Sequence, residues 1–231
     1  QAGSTLSFAG STNISTGFTL AADAYDLVMT GTSNTLGNTA VTLANTGSVT
    51  LGDAATDSFT LGGLTATAAS GVTLAGSFTS SGALTFGDAN TAVTLAGNTL
   101  LDTSAANAAI TLGNVVEPNT ANAYSLTLRS GSAAIALDGA IGAQRRLTEL
   151  VIGGGSVAQT GTTTVKGDLT ATNLISLGGP TVVVGDRVLT ADEIDFGGTV
   201  SGSGTPGTTN RLTLLPYTAG LDITLGGTVS T

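Results

Sequence analysis

Arg145-Arg146 is the only adjacent basic pair in the chain, with Asp138 and Glu149 close by. A basic residue beside acidic calcium ligands could act as the base of an elimination, so this grouping is the first to weigh. Calcium takes about 6–8 oxygen ligands. Carboxylates also crowd at Asp53 and Asp57, and at Asp192, Glu193 and Asp195. Isolated acids in turns more often cap local backbone groups than hold a metal. One glycine-rich string, Gly202-Ser203-Gly204-Thr205-Pro206-Gly207, has the spacing of a dinucleotide fingerprint. That fingerprint must open a helix aimed at a pyrophosphate. Here Pro206 lies inside the string and a strand-like phrase follows, so it reads as a loop. Lys166 sits in Thr164-Val165-Lys166-Gly167, which is not a phosphate-binding loop.

The rest of the composition narrows the chemistry further. His and Cys are absent, which removes imidazole acid–base catalysis, thiol chemistry and the usual zinc ligands. Six basic residues stand against fifteen acidic ones, a poor balance for nucleic acid. We assign no catalytic, cofactor-binding or metal residue from the sequence and expect a protein that is not an enzyme.

The elements that would carry such residues are strands. Charged residues make up 9% of the 231 and Thr about one in five, while Trp is absent. Val and Thr favour strands, and the chain lacks the Ala, Leu, Glu and Lys runs that build helices. No apolar run is long enough for a membrane helix. The nine scattered aromatics do not suggest the girdles of a transmembrane barrel, and we expect no membrane embedding.

One phrase recurs: an apolar residue, Thr, an apolar residue, then a small one. It stands at Phe18–Ala21, Val41–Ala44, Val49–Gly52, Phe59–Gly62, Val72–Ala75, Leu84–Gly87, Val93–Ala96 and Ile110–Gly113, and returns at Leu126–Leu128, Leu212–Leu214 and Ile223–Gly226. Side chains alternate across a strand, so the two apolar residues share a face and the Thr points away. Strands this short are marginal as hairpins. In a parallel β-solenoid each strand pairs with its equivalents in the coils above and below, and no coil is stable alone. The apolar residues then form a continuous core, and the Thr residues form ladders, a favoured cross-strand pairing. Turns may differ in length because they protrude sideways. The expected fold is therefore all-β, one continuous single-stranded parallel β-helix over residues 1–231, with a change of coil character near 117–124. Coils of roughly 18–25 residues would give about ten to twelve of them and a rod about 50–60 Å long.

Past Glu117-Pro118-Asn119 longer strands are expected at Leu147–Ile152, Leu174–Leu177, Thr181–Val184 and Val188–Thr190, and the string Phe196–Val200 is echoed by Leu225–Val229. All seven acids of residues 1–128 stand without a base, and all six bases lie from Arg129 onward. The first half therefore offers trypsin no site.

The stretches Gly139–Ala143, Leu147–Leu150, Gly161–Thr164 and Ile194–Val200 resemble the repeats of large bacterial exoproteins, the filamentous-haemagglutinin-like and autotransporter-passenger group. The resemblance covers most of residues 20–231. It implies a right-handed β-helix outside a Gram-negative-type cell, serving as adhesin, stalk or matrix fibre. The Asn-Pro-Asn motifs of two-partner secretion domains have no match; the nearest string is Glu117-Pro118-Asn119. Polygalacturonase-like β-helices need a His and an Arg-x-Lys string, and neither is present. On such a fold Arg145-Arg146 reads as a solvated turn. Open solenoid ends expose strand edges that template further pairing, so we expect self-association through the terminal coils into an extracellular fibre. An adhesin segment binding a surface or carbohydrate partner through the Asn119–Tyr124 loop is the alternative. Minor ones are ice binding through Thr-x-Thr strings at Thr65–Thr67, Thr162–Thr164 and Thr170–Thr172, and a polysaccharide-processing β-helix.

Overall fold

The computed structural model describes residues 3–203 and 210–222. Among them there is no helix; the strands form a 15-stranded and an 8-stranded sheet, and every strand pairing is parallel. The chain winds as a β-solenoid of about nine turns. Parallel pairing throughout also sets it apart from the antiparallel strands of a transmembrane barrel.

The winding is clearest in one column of inward residues. Leu6, Leu27, Val49, Val72, Val93, Val116, Ile141, Leu169, Leu189 and Leu214 are successive register partners. They define a first face and number the coils 1 to 10. The steps run from 20 residues (Leu169 to Leu189) to 28 (Ile141 to Leu169). The nine steps span about 43 Å at the spacing of paired strands. These ten coils stand at the lower end of the expected ten to twelve, and only the step from Ile141 to Leu169 exceeds the assumed 25 residues.

A second face carries its own column. Asn34, Phe59, Phe78, Leu101, Leu128, Ile152, Leu177 and Phe196 stack in register there. Phe59 and Phe78 are stacked with ring centroids 4.6 Å apart, and Phe86 meets Phe78 edge-on at 6.0 Å. The third face is the 8-stranded sheet. Its inward column runs Val41, Leu64, Leu84, Ile110, Ile135, Thr163, Thr181 and Val200. Leu27, Leu74, Phe78, Phe86, Leu137 and Ile175 are wholly buried, and each such side chain contributes roughly 1.5–3 kcal/mol. Most of the repeated phrases are strands of this kind. Phe18–Ala21 is not: it forms no strand, and the Phe18 ring packs edge-on against Phe8 instead. The phrase at Ile223–Gly226 and the echo at Leu225–Val229 lie outside the described residues.

The middle residue of each phrase points out. Thr50, Thr73 and Thr94 form a ladder on the first face, Thr35, Thr60 and Thr79 on the second, and Thr42, Thr65, Thr85 and Thr111 on the third. The Thr-x-Thr strings do not lay two ladders side by side. Thr65 is in register with Thr42 and Thr85, and Thr170 with Thr190, whereas Thr67 lies past the end of its strand and Thr172 is buried.

Near residues 117–124 the ladder itself changes. The strand Val116–Pro118 pairs back to coil 5, and coil 7 joins the first face only through bridges at Ile141. The third face runs on unbroken from Val41 to Gly202. The Leu147–Ile152 strand has the expected bounds, and Leu174–Leu177 ends a longer strand, Leu169–Leu177. The strings at Thr181 and Val188 are the strands Thr181–Val183 and Arg187–Thr190.

Candidate functional site

Most of the titratable side chains are engaged in holding turns and coils together. The Asp57 carboxylate accepts the N–H groups of Asp53 and Ala54 at 2.9 and 3.1 Å, closing its own turn. Asp88 does the same for Asn90 and Thr91. Other acids reach the next coil. Asp26 accepts the N–H and Oγ–H of Ser48, Asp168 the N–H of Val188, and Asp192 the N–H and Oγ1–H of Thr218. The hydroxyl and amide donors of Ser48 and Thr218 hold the Asp26 and Asp192 carboxyls below the usual carboxylate range, because they bond the charged form. Glu117, 8% exposed, accepts the N–H groups of Gln144 and Arg145 at 2.9 and 2.6 Å.

The bases are similarly occupied. Arg129 pairs with Asp102, Lys166 with Asp138 at 2.8 Å and Arg211 with Asp186. Arg145 donates to the Asn119 carbonyl, Arg146 covers the Tyr217 ring, and Arg187 donates to the Val184 carbonyl. The lyase-like grouping is thereby split: Asp138 faces Lys166, and Arg145 and Arg146 face Asn119 and Tyr217. Asp192 holds Thr218 while Asp195 accepts from Ser176. Among the described residues no three carboxylates converge as a metal ion would require. Gly202 ends a strand, and residues 204–209 of the glycine-rich string lie outside the described residues.

One concave feature stands where the first face turns into the second. Coil 3 makes this corner with a protruding turn, residues 52–57, and coil 6 with the turn 119–124. Coils 4 and 5 take the corner inside single strands, Val72–Ser80 and Val93–Asp102. Two glycines permit this. A Cβ on Gly76, at φ +96°, would lie 2.3 Å from the Asp57 carbonyl oxygen, and one on Gly97 would lie 3.3 Å from the Ala55 nitrogen. The coil 3 turn thus folds over both corners.

Between the two turns lies a cleft of about 240 Å³. Ala55 forms one wall and Ser125 the other. Ser77, Leu100 and Thr127 form the floor, successive register partners on three coils. Asn98 stands at the corner, its Oδ1 accepting the Ser125 N–H at 3.0 Å. That bond fixes the amide plane and leaves Nδ2 unbonded. The hydroxyls of Ser77, Ser125 and Thr127 likewise have no partner among the described residues. No titratable group lines the cleft.

The sequence reading did not single out these residues. A signal was present: Leu100-Leu101 breaks strand alternation, so one leucine must point outward, and it is Leu100 that does. The Asn119–Tyr124 loop is a real turn, and it leads directly into Ser125. No family profile, curated protein or solved structure matches the chain.

Proposed function

We propose that this chain is a non-catalytic structural β-solenoid of a bacterial extracellular or cell-surface protein, assembling head-to-tail into a fibre, stalk or sheath. The observation that carries the reading is the engagement of polar side chains between neighbouring coils, which leaves little free for chemistry. Two further features support it. Among the described residues the Ser4–Phe8 strand has a partner on one side only, and it carries neither charge nor Pro. Natural edge strands are commonly protected by such residues, and an unprotected one templates pairing. A head-to-tail contact that does not close on itself builds a filament. The absence of trypsin sites before Arg129 and the cadence shared with bacterial exoproteins fit life outside the cell.

Negative-stain electron microscopy of the untagged chain across a concentration series tests this. Long fibres of constant width are expected. Isolated short rods at every concentration would overturn self-assembly.

A second reading, an adhesin segment, is favoured by the cleft beside turn 119–124. If it holds, shortening that turn abolishes binding to a cell or matrix surface while the rod persists. Undiminished binding would remove this reading.

A further inference from the structure

We infer that the corner cleft between turns 52–57 and 119–124 binds a single pyranose unit of a neutral saccharide. The inference deepens the adhesin reading and rests on it; fibre formation neither requires nor precludes it.

The floor has the two-sided chemistry of a sugar ring. Leu100 offers an aliphatic surface where an outward strand position usually carries a polar side chain. Its register partners Ser77 and Thr127 set a hydroxyl about 4.8 Å away on each side. A pyranose presents C–H groups from its face and hydroxyls from its rim, which suits an apolar centre flanked by hydroxyls. The Asn98 amide adds a donor already oriented by its bond to Ser125. Small-molecule sites combine apolar lining with a few fixed polar groups in this way, and about 240 Å³ suits one ring rather than a chain of them.

Charge selects the class. The lining is neutral and the chain carries a net charge of −9, so anionic sugars are repelled rather than held. A peptide is a poorer occupant. Strand addition needs a free sheet edge, and the strands under the cleft, Val72–Ser80 and Val93–Asp102, are paired on both sides.

Amide NMR of the full chain, titrated into the tens of millimolar with methyl glucoside, methyl mannoside, methyl galactoside and N-acetylglucosamine, tests the proposal. At least one is expected to give saturable shifts confined to the amides of Ser77, Asn98, Leu100 and Ser125. Thr127→Arg fills the cleft from an outward position and should weaken binding by about tenfold or more, with the remaining spectrum unchanged. Leu100→Ser, which removes the apolar centre, should weaken it as well and serves if the arginine variant misfolds. Absence of localised shifts with all four sugars overturns the proposal. So do shifts that survive both variants, equal binding of glucuronate, or saturation by a neutral Gly-Ser peptide alone. If the sugars fail while shortening turn 119–124 still abolishes surface binding, the ligand class is wrong and the adhesin reading stands.

Discussion

Coils 2–5 and coils 6–9 solve the same adhesion problem with different materials. In coils 2–5 threonine ladders run on all three faces, interrupted by Val28, Leu100 and Asp102, no basic residue is present, and the aromatic pairs Phe59–Phe78 and Phe78–Phe86 fill the core. In coils 6–9 the first-face ladder thins to bridges at Ile141, the inward column of the third face turns to Thr163 and Thr181, and ion pairs join neighbouring coils. Every coil must adhere to its neighbours, since none is stable by itself. Where the strand ladder is complete, hydrophobic stacking supplies that adhesion. Where it is interrupted, side-chain bonds to backbone and to opposite charge bridge the gap. Glu117 sits at the changeover, and its bonds to Gln144 and Arg145 span the stretch where ladder pairing is thinnest.

The sharpest way to break this contrast is to remove an aromatic from the first region. Phe78 touches both Phe59 and Phe86, so Phe78→Ala should cost about 3–5 kcal/mol, read as a lowered urea midpoint. A loss under about 1 kcal/mol would mean that stacking is not what holds coils 3–5. The next effect belongs to the second region. Glu117→Gln retains one acceptor and turns an amide toward the other N–H. A buried bond to a charged group is worth about 1.5–3 kcal/mol, and the loss should appear as faster hydrogen exchange at Gln144 and Arg145. Exchange unchanged at both amides would remove Glu117 from its bridging role.

The repeated phrase made the stack legible, because apolar-Thr-apolar is the in-out-in pattern of a three-residue strand. Val49–Leu51, Leu84–Phe86 and Ile110–Leu112 follow directly from it. The corners were not legible. Whether the strand from Val72 ends or bends onward at Gly76 depends on a turn in the coil before it, where Asp57 meets that glycine. Phe18 reads like its fellows but forms no strand, its ring packing edge-on against Phe8, so the phrase alone does not decide the conformation. The cleft was hidden for a related reason. Ser77, Leu100 and Thr127 are unremarkable in type, and only the coil length brings them into register.

The polar interior of the second region gives a prediction of opposite sign. Thr163 is 1% exposed, with its hydroxyl unpartnered, in a column whose upper members are Ile110 and Ile135. Leaving a buried hydroxyl unsatisfied is costly, whereas an apolar group of the same shape is not. Thr163→Val should therefore stabilise the protein by about 1 kcal/mol. A loss of that size would mean that the hydroxyl has a buried partner, such as an ordered water, and that coils 6–8 are better satisfied inside than they look.

The smallest effect tests what the two regions share. Asp26 in coil 2 and Asp192 in coil 9 use the same device, a carboxylate bonded to the N–H and hydroxyl of a residue one coil on. Both carboxyls titrate below the ordinary 3.8 in the folded chain. A depressed folded value means that the stabilisation is complete above 3.8 and is lost as pH falls through the folded value. Both groups are exposed, so the loss is small. Lowering the pH from 5 to about 2 should reduce the thermal midpoint, and the Asp26→Asn, Asp192→Asn double variant should show a shallower dependence. Each single variant should contribute to a similar degree, because the bond pattern is the same at both sites. If only Asp192→Asn mattered, carboxylate bonding would belong to the second region alone, and the Thr-laddered coils would depend on stacking without it.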